Sequence, residues 1–275
     1  MNKLLTHTLM LPTELELSDH NHYRVDDLVR YASARTISVR LHDETIKKVR
    51  GCHDYLYSKI NDTAVSYYGI NTGFGQLCNV AIPEEELSEL QFNLIRSHAC
   101  GAGREIPSGI VRLIVLTKII SLSKGHSGVA VETVELLMQL LKHDILPVIY
   151  EQGSLGASGD LAPLAHLGLV LLGEGEVMYR GNKMPTVKAF DSTSLTPIIP
   201  KAKEGLAILN GTQFMLAYGI YVTGKSKQLV DMIHKISALS SIAFSADKQP
   251  YSALIHAIRP SRPVRNGKDY VWISE

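Results

Sequence analysis

A mainly α-helical fold follows from three features of the sequence. Apolar residues recur at helical spacing through 24–60, from Pro83 to about Gly101, and through 108–123, 129–143 and 204–242. Strand-like patterning is confined to one short hairpin near 176–184, and the irregular stretches gather around two glycine-rich loops, Tyr68–Gly75 and Gly153–Gly159. With 275 residues, 45% of them hydrophobic, the chain has material for one large domain or two modest ones.

The elements are expected in this order. In 24–60, Ile46, Val49 and Leu56 share a face while Asp43, Glu44, Lys47 and Lys48 stay wet; Asn61-Asp62 ends the pattern. Pro83 followed by Glu84, Glu85 and Glu86 opens a helix, because proline suits the first turn and acids suit its positive end. Leu87, Leu90 and Leu94 form its apolar stripe, and Gly101-Ala102-Gly103 stops it. In 129–143 the buried face is Val134, Leu137 and Leu141, with Lys142 and His143 at the negative end and Pro147 beyond. The second glycine loop runs into an apolar segment, Leu161–Leu172. A hairpin follows, Glu176–Tyr179 then Lys183-Met184, about a Gly181-Asn182 turn.

Composition removes several function classes. Twenty-eight Lys+Arg balance 27 Asp+Glu, so no field draws the chain to nucleic acid or an anionic membrane, and Lys47–Arg50 reads as a solvated helix face. Three cysteines, Cys52, Cys78 and Cys100, show no metal spacing and fit reduced thiols in the cytoplasm. The apolar stretch Leu9-Met10-Leu11, closed by Pro12, is too short for a signal h-region, and no run reaches membrane length. Eleven histidines include no HExxH, so no metal is expected. Gly219–Ser226 satisfies G-x-x-x-x-G-K-S, but its interior is bulky and β-branched, no aspartate-ended strand follows, and the flanking spacing continues a helix; we read it as a chance match.

The chemistry-bearing loop is Gly153-Ser154-Leu155-Gly156-Ala157-Ser158-Gly159-Asp160, followed by Leu161-Ala162-Pro163-Leu164-Ala165-His166. Ser158 or Asp160 as a helix N-cap is the commoner meaning of such a turn. G-x-S-x-G is excluded because Asp160 stands where glycine is required. A third possibility has specific chemistry. In a compressed loop the Gly159 nitrogen can attack the Ala157 carbonyl carbon, and loss of that water and of the Ser158 hydroxyl leaves a methylidene-imidazolone. Protein side chains used in covalent catalysis are nucleophiles, so an electrophile has to be made or imported.

The fourteen residues from Gly153 to His166 resemble the prosthetic-group loop of the aromatic amino acid ammonia-lyases, which act on histidine, phenylalanine or tyrosine. Three further segments resemble the family in its order. In Tyr68–Gly75, the resemblance makes Tyr68 the catalytic base; free tyrosine ionises near pH ~10, so that role needs help from the surroundings. In Asn93–Gly101, Ser97-His98 falls where the family contacts the substrate ring, and is histidine-like. In Lys203–Gln213, Asn210 matches a pocket residue near the prosthetic group and the substrate carboxylate. The resemblance runs with gaps from about residue 35 to Pro260.

That resemblance implies an ammonia-lyase/L-aspartase-like helical fold whose bundle lacks its C-terminal half. The expected organisation is an N-terminal domain over 1–203, the start of a central bundle over 204–260, and a divergent tail over 261–275 of truncated or frameshifted origin. It implies elimination of ammonia from L-histidine to give trans-urocanate; tyrosine or phenylalanine as substrate, or an inactive remnant, are the alternatives. The electrophile is 4-methylidene-imidazol-5-one formed autocatalytically from Ala157-Ser158-Gly159, with no external cofactor. Tyr68 acts as base, His98 and Asn210 bind substrate, and Asp160 supports the group. A cytoplasmic homotetramer is expected for the full-length form.

Overall fold

A computed structural model describes residues 14–18, 22–60, 66–75, 79–156 and 159–258. Leu9–Pro12, Asn61-Asp62, Cys78, Ala157, Ser158 and the 261–275 tail, all singled out above, lie outside them. The chain divides into two compact units, Met1–Val222 and Thr223–Glu275.

The first unit is built around α4 (Ser108–Leu122), which is apolar on nearly every side and buries Leu113, Ile114, Val115, Leu116 and Ile119 completely. A helix hydrophobic all round is stable only when neighbours cover it. Those neighbours include α1 (Val25–Tyr31) and α5 (Val131–Lys142), whose Val134, Leu137 and Leu141 face the same core. Helix α2 (Asp43–Ile60) buries Val49 and Leu56 and leaves Asp43, Glu44, Lys47 and Lys48 exposed.

Glu84–Glu86 form a single 3-10 turn that leads into α3 (Leu87–His98). Helices α3, α6 (Leu161–Leu171) and α8 (Glu204–Leu209) pack on one another. Glu204 joins this trio to α5. Its buried carboxylate accepts the Thr133 hydroxyl at 2.7 Å and the Ala130 amide at 2.9 Å, the latter a backbone donor that the start of α5 leaves unpaired.

Short strands brace the helices. β1 (Leu15–Leu17) pairs in parallel with β2 (Val39–Leu41), and β3 (Ala102–Glu105) pairs antiparallel with β5 (Tyr150–Gln152). A three-stranded sheet orders β4 (Leu146-Pro147), β6 (Glu176–Tyr179) and β7 (Asn182–Pro185), after which α7 (Thr186–Thr193) follows directly. The hairpin turn is Arg180-Gly181, one residue earlier than the spacing predicts. Tyr179 pairs with Asn182, and both turn residues have positive φ, the geometry that matches strand twist.

Helix α9 (Gln213–Ala243) runs unbroken through Gly219–Ser226, so that segment is helical and forms no phosphate loop. Among the described residues no helix is long and apolar enough to cross a membrane. The second unit continues α9 and carries α10 (Ala253–Ala257); Leu229, Ile233, Ile236 and Ile242 on the outer part of α9 are exposed.

Candidate active site

The glycine loop after β5 includes Gly159, whose φ of +109° is one that side chains rarely adopt. A Cβ there would lie 2.8 Å from the Gly211 carbonyl oxygen, 3.0 Å from the Gly211 nitrogen and 3.1 Å from Asn210 Oδ1. Gly159 is thus seated on the Asn210-Gly211 turn that ends α8, where Asn210 donates its own amide to the Leu206 carbonyl at 2.8 Å. Two of the expected site segments, far apart in sequence, meet at this point.

Asp160 is completely buried and fastens the junction. Its amide donates to the Gly211 carbonyl at 2.7 Å. One carboxylate oxygen accepts the Ser154 hydroxyl at 2.7 Å and the other accepts the Met215 amide at 3.1 Å. Asp160 immediately precedes α6 yet makes no side-chain cap to it. The carboxylate instead caps the first turn of α9, where unpaired amides and the helix dipole favour an anion.

A second cluster forms where the first glycine loop meets α3. The loop is fixed internally by the Tyr67 amide donating to Asn71 Oδ1 at 2.6 Å and the Gly69 amide donating to Thr72 Oγ1 at 3.2 Å. Gly69 faces Leu206 of α8. An open groove of about 320 Å³ is lined by Gly73 and Phe74 from this loop and by Leu90, Asn93, Ser97 and His98 from α3, with Val80 and Ile82 between. Tyr68 is not among the lining residues. It is 60% exposed, its ring stands edge-on to Phe74 with centroids 6.1 Å apart, and its hydroxyl accepts the Gly75 amide at 3.5 Å.

His98 is held by its own helix. Nδ1 lies 2.8 Å from the Leu94 carbonyl oxygen and 3.2 Å from Ser97 Oγ, which itself donates to Leu94 at 3.1 Å. A carbonyl only accepts, so Nδ1 carries the proton and Nε2 of the neutral ring is left as an acceptor. The turn beyond His98 is pinned from α6: the Gly101 amide donates to His166 Nε2 at 3.1 Å. His166 stands edge-on to Tyr150 at 5.2 Å, and burial pushes its pKa below the usual histidine value.

Sequence reasoning quoted Ser154, His166 and Gln213 only as parts of motifs. The structure gives each a place: Ser154 on Asp160, His166 on Gly101, and Gln213 beside Gly211 with its buried Oε1 unpaired among the described residues. His166 could not be singled out from local pattern because its partner Gly101 is distant in sequence, while the contacts of Ser154 and Gln213 depend on how the loop and the start of α9 fold.

A family model described as aromatic amino acid lyase matches residues 23–266. The chain belongs to the aromatic amino acid lyase family. A histidine ammonia-lyase of Myxococcus xanthus is 39% identical over 243 residues, covering 88% of this chain and 47% of that protein. The solved structure of a phenylalanine aminomutase from Pantoea agglomerans superposes with a TM-score of 0.82 at 29% identity, covering 91% of this chain and 48% of that one. Histidine ammonia-lyase from Trypanosoma cruzi superposes with a TM-score of 0.81 at 31% identity over 90% of this chain and 47% of that one. This family member spans about half the length of the curated relatives it matches.

Proposed function

We propose that this chain supplies the prosthetic-group portion of a histidine ammonia-lyase, which eliminates ammonia from L-histidine to give trans-urocanate. The observation that carries the reading is the seating of Gly159 on Asn210-Gly211, which joins the Ala-Ser-Gly segment to the expected carboxylate-side pocket residue. Relatives named histidine ammonia-lyase at 38–47% identity support it.

The residues fit 4-methylidene-imidazol-5-one formed from Ala157-Ser158-Gly159. Gly159 sits in a cradle that any side chain would fill, and the Asp160 carboxylate is buried with both oxygens engaged. Once formed, the group supplies an electrophile that turns the substrate amino group into a leaving group. Asn210 orients the substrate carboxylate, Asp160 fixes the C-terminal side of the ring-forming segment, and Tyr68 takes the β-proton.

His98 selects the substrate ring. With Nδ1–H committed to Leu94, Nε2 accepts, and a largely apolar groove with this acceptor in its lining suits the N–H of an imidazole over a bare phenyl ring. The phenol of tyrosine also presents a donor, so L-tyrosine is the second reading. The exposed apolar face of the outer part of α9 supports a homo-oligomer, tetrameric in the full-length form.

Peptide mapping across Gly153–His166 tests the electrophile, with loss of two waters confined to Ala157-Ser158-Gly159 expected. Ultraviolet detection of an acrylate product then separates L-histidine, L-tyrosine and L-phenylalanine, and His98→Phe is expected to move preference toward L-phenylalanine. An unmodified loop in soluble, folded chain overturns the reading.

A further inference from the structure

We propose that Ser154 is a positioning residue for closure of the Ala157-Ser158-Gly159 ring; the proposal rests on the reading above. Ring closure joins the Gly159 nitrogen to the Ala157 carbonyl carbon. The carbonyl oxygen leaves as water with the Gly159 and Ser158 amide protons, and a second water takes the Ser158 hydroxyl together with its α-proton. Every atom comes from the three residues, and no oxidant or co-reactant is needed. What the fold must supply is proximity, because holding two reacting groups in place removes most of the entropic cost of joining them.

The far side of the segment is already fixed. Asp160 donates its amide to Gly211, Met215 donates to Asp160 Oδ2, and Gly159 lies on the Gly211 backbone. On the near side, β5 is paired with β3 up to Gln152, and Gly153 lies close to Gly101 and Ala162. Between these anchors, Leu155 is 89% exposed, and the nearest atom to a Cβ at Gly156 would be Met215 Sδ at 3.5 Å. Ser154 spans the gap. Its hydroxyl donates to Asp160 Oδ1 at 2.7 Å and ties position 154 to position 160 across the ring-forming residues. The acceptor is a charged carboxylate buried away from water, so this hydrogen bond is stronger than an exposed neutral one. The hydroxyl thus holds position 154 against an anchor that α9 holds from the other side.

The test follows maturation by mass. The 275-residue chain is made by cell-free synthesis and sampled with time, and the Gly153–His166 peptide is scored for loss of two waters. Wild type is compared with Ser154→Ala, Ser154→Thr and a control, Thr186→Ala, which removes a buried hydroxyl bonded to the Glu174 carbonyl at 2.6 Å. Thermal unfolding of each variant reports folding independently. Ser154→Ala is expected to mature about 10- to 100-fold more slowly, the rate equivalent of one charge-assisted hydrogen bond. Ser154→Thr, which keeps the hydroxyl, is expected to stay near the wild-type rate, and Thr186→Ala to lose stability without slowing. The proposal is overturned if Ser154→Ala matures at the wild-type rate, if Ser154→Thr is as slow as alanine, or if Thr186→Ala slows equally. A wild-type chain that never loses the waters removes the functional reading itself, and this inference with it.

Discussion

The Asp160 carboxylate accepts the main-chain amide of Met215 at 3.1 Å, so the acid beside the Ala-Ser-Gly segment caps a helix that starts far along the chain. The same side chain holds the Ser154 hydroxyl. Asp160→Ala leaves both donors without this partner, and a part-buried donor left unpaired costs about 1–3 kcal/mol. The unfolding free energy from urea titration is expected to fall by at least that amount in Asp160→Ala and by less in Asp160→Asn, which keeps one oxygen acceptor. Equal unfolding free energies for alanine and wild type would show that water replaces both bonds.

Two glycines of one loop are expected to respond differently to the same added methyl. At Gly159 the methyl meets main-chain atoms of Gly211 at 2.8 and 3.0 Å, which cannot rotate away, and the φ of +109° is strained for alanine. Gly159→Ala is expected to cost about 1–3 kcal/mol from backbone strain alone and to block loss of the two waters. At Gly156 the φ is +71° and the nearest atom is the movable sulfur of Met215 at 3.5 Å. Gly156→Ala is expected to cost about 1–2 kcal/mol and still mature. Thermal unfolding and peptide mass, run side by side, check both; normal maturation of Gly159→Ala counts against the cradle.

What could be read in advance was local. Val134, Leu137 and Leu141 announce the buried face of α5 because helical periodicity is written within a few turns. His98 was singled out by its spacing from Leu94 and by the resemblance of Ser97-His98, while its bond to the Leu94 carbonyl comes from the structure. The short strands of the two-stranded sheets were not legible. Leu15 pairs with Val39, and Ala102 with Gln152, so each strand exists because of a distant partner and is too short for its own pattern to mark it as a strand. Asp160 shows how local grammar is overridden. The sequence reads as an N-cap for the helix it precedes, but tertiary packing brings the start of α9 to its carboxylate and Ser154 to its other oxygen. The candidate site was therefore legible as a set of segments, while the bonds that assemble them were not.

Lys118 lies in the apolar interior of α4 with 1% of its surface exposed, and burial lowers its pKa to about 7. Between pH 7 and its ordinary value of 10.5, the unfolded chain holds a proton there that the folded chain does not. Stability contributed by this site therefore rises as pH increases across that window, and the full penalty is present below it. Lys118→Met is expected to flatten the rise and to stabilise the chain at neutral pH by roughly 1–4 kcal/mol. Urea unfolding of both forms across the window checks this, and an unchanged slope in the variant means that another group is responsible.

His166 sets a different pH limit, because its neutral ring accepts the Gly101 amide at the turn just beyond His98. Burial lowers its pKa from 6.5, so in acid the unfolded imidazole takes a proton before the folded one does. Stability is complete above 6.5, begins to fall as pH drops through that value, and is fully lost below the folded pKa. Protonation also turns Nε2 into a donor facing the Gly101 N–H, so the amide loses its partner and the turn loosens. The Cys100 amide, which donates to the His98 carbonyl at 2.8 Å, lies within the same turn. His166→Gln offers an amide oxygen in place of Nε2 and does not titrate. Between about pH 7.5 and about pH 5, wild type is expected to lose more stability than the variant, and its Gly101 amide to lose more hydrogen-exchange protection. Parallel slopes for the two proteins, with equal protection of Gly101, would place the acid sensitivity elsewhere and leave His166 as a packing residue.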